Sequence, residues 1–227
     1  VFKTTQGNRH ELVRTLASGK GRRILFTRTK FQTQKLAKDL TQNGIPAAEL
    51  HGNLSQNQRD RNLAAFNSGD VNVMVATDVA ARGIDVSGVE LVVQVEPPED
   101  PKSFLHRSGR TARAGHSGDV VTIILPNQRR RTRRMMREAG LTVEPIDVTP
   151  DSPEVLELVG EVAEPVFGWT LEQSQPVGNP RRRKNGKGGA DGERSGRPNR
   201  SGGRNKDRGK DKGGKPFKSE RKDRRDR

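Results

Sequence analysis

Two blocks of this sequence combine residue types able to act on phosphates. The first reads Thr77-Asp78-Val79-Ala80-Ala81-Arg82-Gly83-Ile84-Asp85, and the second, some twenty residues on, reads His106-Arg107-Ser108-Gly109-Arg110-Thr111-Ala112-Arg113. Phosphoryl transfer spreads negative charge over the transferring oxygens, and a guanidinium stabilises such charge with several hydrogen bonds. Arg110 and Arg113 stand three apart, so on a helix they would share one face and approach a single phosphate. Gly109 and Ala112 would keep that surface low. A solvated arginine cluster after a helix is the plainer alternative. Asp85 follows a strand pattern ending at Ala76, which puts it near the carboxyl end of a strand, where open α/β sheets bind ligands. Equally, it could cap a turn before Gly88. Gln56 and Arg59 fall in the first turn of a helix opened by Ser55, whose free amides favour an anion; Gln56 could also serve the cap alone.

The elements that must position these residues alternate along the chain. Leu12, Val13 and Leu16 form a short helical stripe before Gly19 and Gly21. Ile24 to Phe26 is a consecutive apolar run, as in a strand buried on both faces of a parallel sheet. Thr29 caps a helix with Leu36 and Leu40 inward and Gly44 at its end. Ala47 to His51 reads as a strand, and Ser55 with Gln58 forms a capping box for a helix through Leu63 and Phe66. Strands follow at Val71 to Ala76, Leu91 to Val95 and Val120 to Leu125, with Asp100-Pro101 opening a helix towards Gly109. Five strands between helices predict an α/β domain with a mainly parallel sheet covered on both faces. A final helix, Gln128 to Ala139, carries Arg129, Arg130, Arg133, Arg134 and Arg137, read as a solvated face with an RNA-facing patch as the alternative.

The two blocks in this order and spacing resemble conserved blocks of superfamily 2 helicases, most closely the DEAD-box RNA helicases. Ile24-Leu25-Phe26-Thr27-Arg28-Thr29-Lys30 and Leu50-His51-Gly52-Asn53-Leu54-Ser55-Gln56-Asn57-Gln58-Arg59 resemble two upstream blocks of that family, in the correct order. The resemblance covers roughly residues 1 to 140 and implies a RecA-like three-layer domain, the second of two. It implies that Arg110 and Arg113 act as trans-acting fingers on the γ-phosphate of ATP. Gly83 and Asp85 would bind the nucleotide, Asp85 at the ribose hydroxyls. Arg82, His106 and Arg107 would couple the two domains, with an ordinary surface histidine as the alternative for His106. Thr29, Gly52, Gln56, Arg59 and Thr77 would grip RNA through its backbone without reading bases. Ser108 stands where an aliphatic residue is commoner, and Ala112 where the family often has glycine.

No Gly-x-x-x-x-Gly-Lys-[Ser/Thr] loop and no Asp-Glu-Ala-Asp tetrapeptide occurs in the chain. The expectation is therefore half a motor, inactive alone, with ATP and Mg²⁺ held mainly by an N-terminal RecA-like partner domain. Of 43 Lys and Arg, 20 lie in residues 176–227 against 7 Asp and Glu, so residues 1–175 are nearly neutral at +2. The expected organisation is a helicase C-terminal domain over 1–143, a proline-containing linker over 144–175 that has one short helical stretch around Pro153 to Val162 and can dock through Phe167 and Trp169, and a disordered basic tail over 176–227 that tethers RNA. The absence of cysteine excludes disulfides and thiolate metal sites, and no apolar run spans a bilayer. A cytoplasmic protein without metal ligands of its own or membrane partner is expected. Two other readings remain open from sequence: a non-enzymatic RNA-binding chaperone with an orphan RecA-like domain, and a DNA helicase of the same superfamily.

Overall fold

A computed structural model describes residues 1–82, 84, 86, 88–112 and 117–171. Gly83, Asp85, Arg113 and the basic tail thus lie outside the described residues. The chain order is β1 (Phe2–Lys3), α1 (Arg9–Ala17), β2 (Arg22–Thr27), α2 (Lys30–Gln42), β3 (Ala47–Leu50), α3 (Gln56–Ser68), β4 (Val73–Thr77), α4 (Asp78–Ala81), β5 (Val89–Gln94), α5 (Pro101–Ser108), β6 (Asp119–Ile124), α6 (Arg129–Glu138), β7 (Ile146–Asp147) and α7 (Pro153–Val159). The strands form one parallel sheet in the order β3-β4-β2-β5-β6-β1-β7.

The apolar runs are buried on both faces, as a covered parallel sheet requires. Leu25, Val73, Val75, Leu91, Val93, Val121 and Ile123 face α1, α2 and α7. Their chain neighbours Ile24, Phe26, Met74, Ala76 and Val92 face α3 and α4. Phe104 of α5 packs with Met135 and Met136 of α6 in a smaller cluster. The expected capping box of α3 forms, the Ser55 hydroxyl accepting from the Gln58 amide, and the expected cap Thr29 proves to be a second box, its hydroxyl accepting from the Gln32 amide; each glutamine side chain returns to the cap backbone. These bonds fix where α2 and α3 begin, and so where their first turns stand at the carboxyl edge of the sheet.

Two strands were not disclosed by the pattern, because each is only two residues long. Phe2 of β1 pairs with Ile123 on one side and Ile146 on the other. Residues 144–171, expected as a proline-containing connection, contribute β7 and α7 to the domain. Val148, Val155 and Val159 are buried, and an antiparallel bridge joins Gly19 to Val162. Arg23 explains much of the attachment. Only 2% exposed, its guanidinium donates to the Leu16 carbonyl at the end of α1 and to the Val159 carbonyl at the end of α7, both at 2.6 Å. A cation is favoured where helix carbonyls converge. Burial nevertheless lowers the Arg23 pKa, with Glu90 acting in the opposite direction. Further on, the Val166 amide donates to the Gly44 carbonyl. Gly44 has φ +79°, and a Cβ there would lie 2.8 Å from Pro165. Trp169 packs half-buried against the α3 face of the core, whereas Phe167, the other expected anchor, stays largely exposed.

Candidate functional site

The register aligns the carboxyl ends of the central strands: Thr27 lies beside Thr77, Leu50 beside Ala76, and Phe26 beside Gln94. Whatever follows these positions is displayed on one edge of the sheet. Thr29, Gly52 and Thr77 emerge there from β2, β3 and β4, and Gln56 and Arg59 stand in the first turn of α3. The Lys30 ammonium donates to the Asn53 side chain at 3.1 Å, which joins the start of α2 to the Gly52 turn. Arg59 donates to the Ala80 carbonyl at 2.7 Å, joining α3 to α4. Thr77 begins α4 without using its hydroxyl as a cap. Gly52 has no protein atom within 4 Å of a Cβ position, so the protein itself does not require glycine there and its backbone lies open. Gln56 donates to Asp60 at 2.7 Å. The five residues expected to grip a strand are thus gathered on three neighbouring strand ends and the turn beyond one of them.

The second group is built around α5. Asp100 caps this helix, its carboxylate accepting from the Ser103 amide at 2.9 Å and hydroxyl at 2.8 Å. The Ser103 amide and then its hydroxyl hold the Asp100 carboxyl below its ordinary value, with the Arg82 charge adding a smaller contribution. The capped helix presents its last turn with His106 exposed and Arg107 buried. Arg107 was placed by resemblance among the domain-coupling residues, but its geometry is that of an internal staple. It is 4% exposed and binds both oxygens of Asp78, at 2.5 and 2.6 Å, and the Glu96 carbonyl at 3.0 Å. Its guanidinium also stands 5.4 Å from the centre of the Phe26 ring. The pair anchors α5 to the first residue of α4, and so one block to the other.

Arg110 does not stand on a helix, and Arg113 lies outside the described residues. The α-helix ends at Ser108, and Ala112 has φ +54°, the left-handed region, where it is the only non-glycine among the described residues. That conformation is unfavourable for a side chain bearing Cβ by about 1–2 kcal/mol. It supplies a physical reason for glycine at this position. Thr111 is held by its hydroxyl to the Val89 carbonyl. A turn, not a helix, therefore aims Arg110. Its guanidinium donates to the Ile84 carbonyl at 2.8 Å and more weakly to the His106 carbonyl at 3.4 Å. Ile84 lies between Gly83 and Asp85 in the chain. Arg82, Ser103, His106 and Arg110 border one small cleft with Asp78 at its wall.

Sequence reasoning missed Asp78 as the partner of Arg107, although it lies inside the first block. It also missed Glu96, which accepts from Gln32 at 3.0 Å and pairs with Arg9 at 3.1 Å. No local spacing signals either contact. Among the described residues, no cluster of three His, Asp or Glu offers a metal site, and no helix is long and apolar enough to cross a membrane.

Residues 7–115 match the helicase conserved C-terminal domain. The chain is 38% identical over 176 residues to DEAD-box ATP-dependent RNA helicase 7 of Oryza sativa subsp. japonica, covering 74% of this chain and 25% of that protein. It therefore spans about a quarter of the length of this curated relative. A DEAD box protein from the hyperthermophile Methanococcus jannaschii superposes with a TM-score of 0.59 at 32% identity, covering 64% of this chain and 41% of the other. S. cerevisiae Dbp5 bound to RNA and ADP BeF3 superposes with a TM-score of 0.60 at 25% identity, covering 70% and 45%.

Proposed function

This chain carries the helicase C-terminal domain of the DEAD-box family, and on that premise we propose that it is the carboxyl-terminal half of an ATP-dependent RNA helicase. The observation that carries the proposal is the reach of Arg110 onto Ile84. It brings the arginine of one block to the loop of the other, at the carboxyl edge of the sheet. In the closed enzyme Arg110 exchanges that neutral carbonyl for a γ-phosphate oxygen of ATP, since a charge-assisted bond to phosphate is the stronger one. Arg113 assists it, Asp85 meets the ribose hydroxyls, Gly83 lets the backbone approach the nucleotide, and Arg82 and His106 face the partner domain. ATP is held chiefly by that other half. Mg²⁺ would be bound by the nucleotide and that other half.

RNA, which the Dbp5 structure contains, would lie along Thr29, Gly52, Gln56, Arg59 and Thr77. Hydroxyls, an amide, an open backbone and one guanidinium suit phosphate and sugar, so binding should be indifferent to sequence and sensitive to salt. The basic segment 176–227 adds tethering by charge. Closure of two such domains on a strand would bend it and part short duplexes, with hydrolysis resetting the open state. The test joins this chain to a nucleotide-binding half and changes Arg110→Ala. Turnover should fall by about 10³-fold or more while ATP binding persists. Undiminished turnover would refute the finger assignment.

A further inference from the structure

The positive charge of the folded part is concentrated on one helix that the proposed motor does not use. The α6 segment, RRRTRRMMRE, holds six arginines, no lysine and one glutamate, a net of +5. Residues 1–175 carry 23 Lys and Arg against 21 Asp and Glu, so outside α6 they are slightly acidic. Thr132, Met135 and Met136 face inward, leaving every arginine of the helix exposed. Glu144 pairs with Arg129 and Arg133, and Glu138 with Arg134. Among the described residues, no carboxylate stands within 4 Å of Arg130, Arg131 or Arg137.

Arg130, Arg134 and Arg137 recur at helical spacing, one guanidinium per turn of about 5.4 Å. Like charges three and four apart disfavour a helix, so this face works against the stability of its own element. A merely soluble face would be served as well by mixed charge. A row of guanidiniums suits phosphate oxygens, each able to take two parallel hydrogen bonds. The Met135, Met136 and Phe104 cluster fixes α6 against α5, on the β6 side of the sheet. The strip formed by Thr29, Gly52 and Thr77 lies on the β3-β4-β2 side. A strand held at that strip would have to extend beyond it to meet α6.

We propose that the exposed arginine face of α6 is a second RNA-backbone site, which holds nucleotides flanking those gripped at the strand ends. The inference rests on the RNA-helicase reading above. The experiment is a salt titration of binding of the whole 227-residue chain to a 20-nucleotide single-stranded RNA, followed by fluorescence anisotropy. It compares the unaltered protein with R130Q/R131Q/R137Q and R130K/R131K/R137K. The glutamine variant should bind about tenfold more weakly, and its slope of log K against log salt should be shallower by about 2, near 0.7 for each lost phosphate contact. The lysine variant should restore the slope, and neither should melt earlier than the unaltered protein. An unchanged slope in the glutamine variant overturns the α6 site while leaving RNA binding by the chain intact, and would redirect the surface to an acidic protein. A marked loss of thermal stability would overturn it too, by making the arginines structural. If the unaltered chain fails to bind RNA, the α6 site falls together with the reading on which it rests.

Discussion

Replacing Arg107 by glutamine tests whether this residue is an internal staple or a group that works across the cleft. The substitution removes two short bonds to Asp78 and one to the Glu96 carbonyl. It leaves the Asp78 carboxylate without its counter-ion. Removing one partner of a buried pair costs about 3–5 kcal/mol. The Asp78 side chain is 29% exposed, so water recovers part of that loss, and a net cost of about 2–4 kcal/mol follows. For a domain of this size each kcal/mol lowers Tm by about 2–4 °C, so near 3 kcal/mol the drop is about 6–12 °C. Thermal unfolding followed by circular dichroism reads it directly. Asp78→Ala should also destabilise, and the double variant R107Q/D78A should be less destabilised than the two single losses added together, because neither charge is then left alone. An R107Q variant melting within about 2 °C of the unaltered chain, or strict additivity in the cycle, would refute the staple.

Two further outcomes follow from the turn and cap that present the arginine block. Asp100→Ala should cost about 1 kcal/mol at neutral pH. Because the Asp100 carboxyl is held below its ordinary value of 3.8, its contribution is complete above that value and is lost as the pH falls through the folded pKa; denaturant titrations of both proteins should therefore converge at the acid end. Ala112→Gly relieves the left-handed φ of +54° against the greater freedom of an unfolded glycine, and should raise stability by about 0.5–1 kcal/mol. A lower Tm for that variant would contradict the strain.

What could be read from the sequence was local. Thr29 as a cap and Ser55 with Gln58 as a capping box announce helix starts because a cap and its partners lie within one turn. The strands were legible because a sheet covered on both faces leaves uninterrupted apolar runs such as Ile24-Leu25-Phe26. β1 and β7 were not, since two residues carry no period and acquire a role only by pairing with strands more than a hundred residues away or with each other. Arg107 sits among charged neighbours in its block, and nothing nearby distinguishes the arginine that turns inward. Its partner Asp78 lies 29 residues upstream. The spacing of Arg110 and Arg113 invited a helical reading, yet Gly109 already marked the helix end. Alanine at 112 gave no hint of a positive φ. The grouping of Thr29, Gly52 and Thr77 was anticipated only through resemblance, and their common edge comes from register.

The place of β1 bears on the order in which the domain can be made. Its Phe2 lies between Ile123 and Ile146, and Arg23 finishes its bonds only at Val159. During synthesis the segment carrying β1 and α1 therefore emerges long before the strands and helix that enclose it. Until then Leu12, Val13 and Leu16 lack part of their cover. Pairing over such separations is slow because the loop must close before any contact rewards it. Folding of this domain thus waits on β7 and α7, and a nascent chain stalled before β7 would leave β1 with one edge open to a neighbouring strand.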